Sequence, residues 1–123
     1  MADRTLGPEQ LEAVARLFRV LSEPTRLSLL QELQTGEKTV GELVRRLDLK
    51  QANVSKQLGE LHDAGLVARE RDGNEVNYRI ADPMAFDLCA LVCGKLRRDA
   101  QRQLDALVAS AVPRRKSAPR MSS

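Results

Sequence analysis

Residues 39–66 constrain the fold of this chain more than any other stretch, because they predict two helices joined by a tight turn. Thr39 and Glu42 have the spacing of a capping box, in which a hydroxyl and a carboxylate satisfy free N–H groups at a helix start. Gly65 is typical of the end of the second helix. Apolar residues at helical spacing give each helix one apolar face: Val40, Leu43, Val44 and Leu47 in the first, and Val54, Leu58 and Leu61 in the second.

The second helix, from about residue 51 to residue 64, carries amides, hydroxyls and a cation away from its apolar face. Amides can pair with adenine, and a cation or a hydroxyl can bind guanine or phosphate. A polar second helix after a short turn is typical of helix-turn-helix proteins, whose second helix enters the major groove of DNA. The alternative is a solvated helix in a small bundle. The DNA contacts predicted for this helix pair are Thr39, Lys50, Gln51, Asn53, Ser55, Lys56 and Gln57.

Residues 67–80 alternate with period two on both sides of Asp72-Gly73-Asn74, which predicts a β-hairpin because such a turn needs a positive φ. An arginine-bearing hairpin directly after a helix-turn-helix favours a wing that lies along DNA; an ordinary solvated sheet edge is the alternative. The DNA contacts predicted for the hairpin are Arg69, Arg71, Asn74 and Arg79. The predicted fold is mainly α with a small β-hairpin, a winged helix-turn-helix in the order α-α-α-α-β-β-α.

The net charge of +3 overstates the basic character of the folded part. Four basic residues lie in the last eleven, and without them residues 1–112 carry 16 basic against 17 acidic residues, a net charge of −1. A DNA-binding surface must therefore be a local patch. We predict one domain over residues 8–112, a disordered N-terminus over residues 1–7 and a disordered basic tail over residues 113–123.

The last helix, predicted from Asp82-Pro83 to about Ala111, is apolar on more than one side. A helix with two apolar faces needs two surfaces to bury them against. The domain core can cover one face, and a second subunit is the natural cover for the other, so a homodimer is predicted. One stripe contains Met84, Leu88, Leu91 and Val92, and the other contains Phe86, Cys89, Cys93, Leu96 and Ala100.

Several classes of protein are disfavoured by what the sequence lacks. With one histidine, no glycine-rich phosphate loop and no Ser/His/Asp set, we expect no enzyme. No apolar run approaches the roughly 20 residues of a membrane span, and the first residues show no signal-peptide core. We therefore expect a cytoplasmic protein with reduced thiols.

Taken together, these motifs resemble the ArsR/SmtB family of winged-helix repressors. The resemblance covers about residues 10–96, and it implies a homodimer joined by the first and last helices. It also implies binding to an inverted-repeat operator, with repression until an inducer binds. The matching stretches are Leu21–Leu27, Val54–Leu58, Leu61–Val67, Arg71–Gly73 and Tyr78–Ile80.

The departures from the family pattern concern the recognition helix and the metal ligands. Gln57 stands where the family usually has histidine, and Lys50 where a capping serine is common. Metal-sensing members often carry Cys-x-Cys where this chain has Thr39 and Gly41, or histidine and aspartate ligands on the last helix, which here contains no histidine. The family's familiar zinc and arsenic ligand sets are therefore absent.

Cys89 and Cys93 are the remaining candidates for sensing, four residues apart on one face of the last helix. Their thiolates could bind a soft ion such as Zn(II), Cd(II), Cu(I) or As(III), which would make both metal ligands. Oxidation or persulfidation is the second possibility, and the family includes members that sense reactive sulfur. The alternative is plain packing, since free cysteine behaves as a small hydrophobe. In that case the protein is a non-sensing architectural DNA-binding protein or an interaction-only dimer.

Overall fold

The computed structural model describes residues 5–117, with side chains described for residues 5–110. Its order of helices and its hairpin confirm the predicted winged helix-turn-helix, and one short strand is added. The elements are α1 (Pro8–Val20), α2 (Pro24–Leu33), β1 (Lys38–Thr39), α3 (Val40–Leu47), α4 (Gln51–Asp63), β2 (Val67–Asp72), β3 (Glu75–Ile80) and α5 (Met84–Ser117).

The added strand β1 turns the hairpin into a three-stranded antiparallel sheet with the order β1-β3-β2. Lys38 pairs with Tyr78 and Thr39 with Asn77. Lys38 is buried, and its Nζ donates to Glu32 O at 2.9 Å, near the end of α2. Two residues are too few for a period-two pattern, so β1 could not be predicted. The third strand supports a hairpin that would be barely stable alone.

The core of the described residues is built mainly from leucine and valine, because the chain has few aromatic residues. The innermost side chains come from α2, α3, α4 and the turn between α4 and β2. Burying each of them stabilises the fold by about 2 kcal/mol. The largest fully buried side chains are Leu29, Leu30, Leu43, Leu58, Leu61, Leu66 and Val54.

The helix pair α3–α4 begins and turns as its sequence predicts. Thr39 Oγ1 accepts from Glu42 N at 3.1 Å, and Glu42 Oε1 accepts from Thr39 N at 2.9 Å, which confirms the capping box. After α3, Asp48 adopts a left-handed conformation with φ 53°, which a short polar side chain tolerates better than most. Leu49 N then donates to Val44 O at 3.3 Å and closes the turn.

The end of α4 confirms the predicted glycine cap. Gly65 has φ +78°, its N–H donates to His62 O at 2.9 Å, and Leu66 N donates to Leu61 O at 3.0 Å. This is a Schellman motif, in which the chain reverses while the last helical carbonyls stay hydrogen-bonded. Leu61 and Leu66 are both buried, so the motif also leads the chain from α4 into β2 through the core.

Two glycine substitutions around this cap should change stability in opposite directions. Gly65→Ala should lower the free energy of unfolding by about 1 kcal/mol, because a side chain disfavours positive φ. Gly59→Ala, inside α4, should raise it by about 0.5 kcal/mol, because alanine favours helix. A Cβ at either position meets no heavy atom within 4 Å, so the backbone conformation alone decides. Urea denaturation of both variants measures this, and changes of the same sign would contradict it.

The chain divides into two compact units, Met1–Ala85 and Phe86–Ser123. Before α5, Asp82 Oδ1 accepts from Met84 N at 3.0 Å, so Asp82 supports the helix start. The helix ends at Ser117, beyond the end predicted near Ala111. Disorder of residues 1–7 and 113–123 stays a prediction, and residues 1–4 and 118–123 lie outside the described residues. No helix within residues 5–117 has both the length and the apolar character to cross a membrane.

Candidate nucleic-acid interface

The N-terminal half of α4 presents most of its predicted polar face to solvent. Val54, Leu58 and Leu61 have exposures of 0%, which places the apolar face inside. The opposite side is open: Gln51, Ser55 and Lys56 are exposed, Asn53 is half-buried, and Lys50 is exposed just before the helix. These positions agree with the prediction, while their contact with DNA stays a prediction.

The start of α4 lacks a side-chain cap. Lys50 is the N-cap residue, with φ −73° and ψ 142°, and no side chain accepts a hydrogen bond from the first turn. The first backbone bond of the helix runs from Val54 N to Lys50 O at 3.0 Å, so the N–H groups of residues 51–53 have no helical partner. Free N–H groups and the helix dipole favour an anion at this end, and the ammonium of Lys50 adds to that preference.

Gln57 does not lie on the exposed face, so its predicted placement is wrong. The residue is only 8% exposed, and both ends of its amide are occupied. Its Oε1 accepts from Arg26 Nε at 2.8 Å, and its Nε2 donates to Asn53 Oδ1 at 3.0 Å. Gln57 stands three residues after the buried Val54, which places it at the edge of the apolar face. Because the side chain of Gln57 is buried and its amide is already hydrogen-bonded, we remove it from the base-reading residues.

Thr39 is the N-cap residue of α3. Its N–H donates to Glu42 and its hydroxyl oxygen accepts from Glu42 N, while the hydroxyl also lies 3.3 Å from Glu42 Oε1. The hydrogen bond from the Thr39 N–H is the main reason why the pKa of Glu42 is lowered. A DNA contact by Thr39 stays a prediction, but its polar groups are already used in the cap.

The strand register of the hairpin places its three arginines on two different faces. Arg69 pairs with Tyr78 and Arg71 with Val76, and directly opposed residues of an antiparallel pair share one face. Arg79 pairs with Ala68 and therefore belongs to the other face. The predicted set of three arginines is thus divided between the two sides of the wing.

The two faces of the hairpin carry different charge. The face of Arg69 and Arg71 contains no acidic residue, and we call it the cationic wing face. The other face contains Glu70, Asp72 and Glu75, and Arg79 Nη1 lies 3.6 Å from Glu70 Oε1. The turn between the strands is Gly73-Asn74, with φ +66° at Gly73 and an exposed Asn74 at its tip.

Arg26 belongs to this region, although no role was predicted for it from the sequence. Its Nη1 donates to Val20 O at 3.0 Å and to Arg19 O at 3.4 Å, at the end of α1. Its Nε donates to Gln57, so one guanidinium joins α1, α2 and α4. The only sequence signal was a single cation within the leucine-rich helix α2.

The two cysteines are free thiols on α5. Cys89 is half-buried and Cys93 is exposed. Among the described residues, no group of three or more His, Cys, Asp or Glu side chains is placed to hold a metal ion within one chain. The predicted roles of both cysteines in sensing and in metal binding stay predictions.

Both α1 and α5 carry large apolar side chains that are open to solvent. Helix α1 contains no buried residue, and Phe18 is 53% exposed. On α5, Leu96 is 59% exposed and Leu107 is 70% exposed. The other exposed large apolar residues of the two helices are Leu11, Val14, Leu91, Val92, Leu104 and Val108.

Comparison with known proteins identifies relatives among transcriptional regulators. A family model described as a helix-turn-helix domain matches residues 21–70. A probable mercury resistance operon repressor from Streptomyces lividans is 42% identical over 80 residues, which cover 65% of this chain and 64% of that protein. The uncharacterized HTH-type transcriptional regulator Rv0081 from Mycobacterium tuberculosis is 40% identical over 85 residues, 68% of this chain and 75% of that protein.

Solved structures agree with these relatives. The crystal structure of Rv0081 matches with a TM-score of 0.69 and 35% identity, over 80% of this chain and 99% of that one. The solution structure of a homodimeric winged helix-turn-helix DNA-binding domain from Mycobacterium bovis, described as a possible ArsR-family regulator, matches with a TM-score of 0.64. Its identity is 31%, over 79% of this chain and 91% of that one. The chain spans less than two thirds of the length of the mercury resistance repressor.

Proposed function

The chain belongs to the ArsR/SmtB family of winged helix-turn-helix transcriptional regulators, and on that premise we propose that it is a dimeric repressor of an inverted-repeat operator. The observation that carries the proposal is the open N-terminal half of α4, with its uncapped first turn. A helix of this kind can enter the major groove and hold a phosphate at its start. The proposal includes a cytoplasmic location, because an operator-binding repressor acts where the DNA is.

The two kinds of DNA contact fall to different residues in this proposal. Bases are read by exposed side chains of α4, while phosphates are bound by cations and by free N–H groups. The base-reading residues are Gln51, Asn53, Ser55 and Lys56. The phosphate-binding residues are Lys50, Arg69 and Arg71, with Asn74 at the tip of the wing.

The division of the wing predicts different results for two arginine substitutions. Arg71→Ala should weaken binding to every DNA sequence, because it removes a phosphate contact from the cationic wing face. The slope of log affinity against log salt should become shallower by about 1. Arg79→Ala is the matched control. It should change the DNA affinity and the salt slope less than Arg71→Ala does, because Arg79 is already paired with Glu70. Fluorescence anisotropy with an operator fragment and a random duplex across a salt series measures both.

An equal loss in the two arginine variants would contradict this assignment of the wing faces. An unchanged salt slope in Arg71→Ala would remove Arg71 from the phosphate contacts.

The dimer is supported by the exposed apolar residues of α1 and α5. A second copy of the chain would remove these side chains from water, and burial of apolar surface favours association. The homodimeric relative from Mycobacterium bovis has the same fold. A two-fold dimer carries two copies of α4, which suit two half-sites in inverted orientation.

We further propose that Cys89 and Cys93 make the repressor responsive to thiol chemistry. The two positions are one helical turn apart on α5, and one thiol is exposed while the other is half-buried. Hydrogen peroxide would oxidise two thiols to one disulfide with release of two waters. A persulfide would transfer its outer sulfur to a cysteine thiolate and leave as a thiol. Binding of a soft ion by both thiolates is the second route.

Modification at these cysteines should lower operator affinity through the dimer, because two half-sites at fixed spacing tolerate little rotation between subunits. When a change at one site of a protein is coupled to binding at another, the affinity of the second site typically changes by about 5- to 150-fold. The parent protein should release operator DNA after treatment with a persulfide or peroxide, or with Cd(II) or As(III). The double variant Cys89→Ser, Cys93→Ser should bind like the reduced parent under every treatment.

Operator titrations of parent and double variant distinguish the possibilities. Equal binding by the reduced, oxidised and metal-loaded parent would show that the cysteines only pack, and would favour a non-sensing architectural protein.

A further inference from the structure

A chain of hydrogen bonds leads from the end of α1 to the reading face of α4. Arg26 Nη1 donates to Val20 O, Arg26 Nε donates to Gln57 Oε1, and Gln57 Nε2 donates to Asn53 Oδ1. We propose that Arg26 and Gln57 are positioning residues that determine base specificity by fixing which end of the Asn53 amide faces DNA. This inference rests on the proposed function, because it assumes that Asn53 reads a base.

The direction of this chain follows from donor and acceptor chemistry alone. A guanidinium has only donors, so the Gln57 atom that faces Arg26 at 2.8 Å must be the amide oxygen. The Gln57 nitrogen must then face Asn53, where it needs an acceptor. Asn53 therefore turns its Oδ1 inward at 3.0 Å and leaves its Nδ2 as the outward group. One permanent cation thus decides the orientation of two amides that could otherwise flip.

Burial and anchoring hold this arrangement in place. Gln57 is 8% exposed, so water can hardly replace its partners. Arg26 is held from the other side by Val20 O and Arg19 O, at 3.0 and 3.4 Å. These carbonyls lie at the C-terminal end of α1, where a helix favours a cation. A flipped Gln57 would turn an N–H toward the guanidinium and leave its own oxygen without that partner.

The outward group of Asn53 limits the bases that it can contact. Within the described residues, the Nδ2 of Asn53 has no hydrogen-bond partner, so both of its N–H groups are available. In the major groove, guanine offers the acceptors O6 and N7, adenine offers N7 and thymine offers O4, while cytosine offers only an N–H donor. Asn53 in the parent protein should therefore disfavour cytosine at the base it contacts.

Gln57→Glu tests the proposal because it reverses the direction of the chain. A carboxylate at residue 57 still accepts from Arg26, but it also accepts from Asn53 and so draws Nδ2 inward. Oδ1 then faces DNA, and cytosine becomes favourable at that base. The relative affinity for cytosine over guanine or thymine at one position of each half-site should rise on the order of tenfold, which corresponds to about 1.4 kcal/mol.

The measurement is competitive binding of operators that carry each of the four bases at every half-site position. Gln31→Glu, an exposed residue on α2, makes the same chemical change outside the hydrogen-bond chain and should leave all base preferences as in the parent. Asn53→Asp keeps the Arg26–Gln57 pair and also presents an outward acceptor. It should show the same shift toward cytosine whichever way Gln57 is turned, so it identifies the half-site position that Asn53 contacts. Arg26→Gln removes the cation that orients Gln57 and should weaken the discrimination against cytosine at that position, so the test stands even if Gln57→Glu folds poorly.

The possible outcomes separate this inference from the proposed function. A shift toward cytosine at one position in Gln57→Glu and Asn53→Asp, absent in Gln31→Glu, supports the inference. A folded Gln57→Glu or Arg26→Gln that keeps the base preferences of the parent at every position would overturn the inference and leave the proposed function intact. A parent without any base preference would overturn both.

Discussion

Replacing Leu96 with glutamate should convert the proposed dimer into a monomer and abolish tight operator binding. Leu96 is 59% exposed in a single chain and lies on the apolar stripe of α5 that contains both cysteines. A carboxylate buried without a partner costs several kcal/mol, on the order of 3 or more, and a two-fold interface contains it twice. Each 1.4 kcal/mol weakens association about tenfold, so operator affinity should fall by at least two orders of magnitude. Light scattering gives the mass of the variant, and anisotropy gives its operator affinity.

The control for this substitution is Arg98→Glu, which places a glutamate on the opposite side of α5, two residues further along the helix. That variant should remain dimeric. A parent protein that is itself monomeric at micromolar concentration, or a dimeric Leu96→Glu, would contradict the interface that we propose.

The second large effect is expected in α4, where stability and DNA binding should separate between two neighbouring residues. Leu58 is 0% exposed, and Leu58→Ala should lower the free energy of unfolding by about 2–5 kcal/mol because it leaves a cavity beneath the helix. Lys56 is exposed, so Lys56→Ala should change stability by less than about 0.5 kcal/mol. It should nevertheless lower specific operator affinity about tenfold or more, since it removes the cation that we propose contacts bases.

Urea denaturation and operator titration of both variants test this separation. A loss of stability in Lys56→Ala comparable with that in Leu58→Ala would mean that Lys56 packs in the core. Parent-like operator binding by a fully folded Lys56→Ala would mean that the DNA-binding face lies elsewhere.

Features that depend on neighbouring residues could be predicted from the sequence. The capping box of Thr39 and Glu42, the glycine cap at Gly65 and the hairpin around Gly73 each arise within a few residues. Helical spacing also predicted the buried face of α4 correctly, because the apolar stripe along a helix packs against the core. Winged-helix topology followed from the order of these local elements.

Features that depend on distant partners could not be predicted. Gln57 is buried because Arg26, 31 residues away, reaches its amide, and a helical wheel gives a direction but no partner. Arg79 differs from Arg71 because the strand register decides which residues share a face. The strand β1 exists only through its pairing with β3. Each of these features arises from contacts between distant parts of the chain, and each changes which residues are candidates for binding DNA.

Selection from a random duplex library with the untreated, reduced protein tests the central claim most directly. A dimeric repressor with two copies of α4 should enrich an inverted repeat. The centres of its half-sites should lie about 10–10.5 base pairs apart, or a multiple of that spacing. Enrichment of no sequence, or of a single unrepeated site, would contradict a dimer that reads DNA through α4.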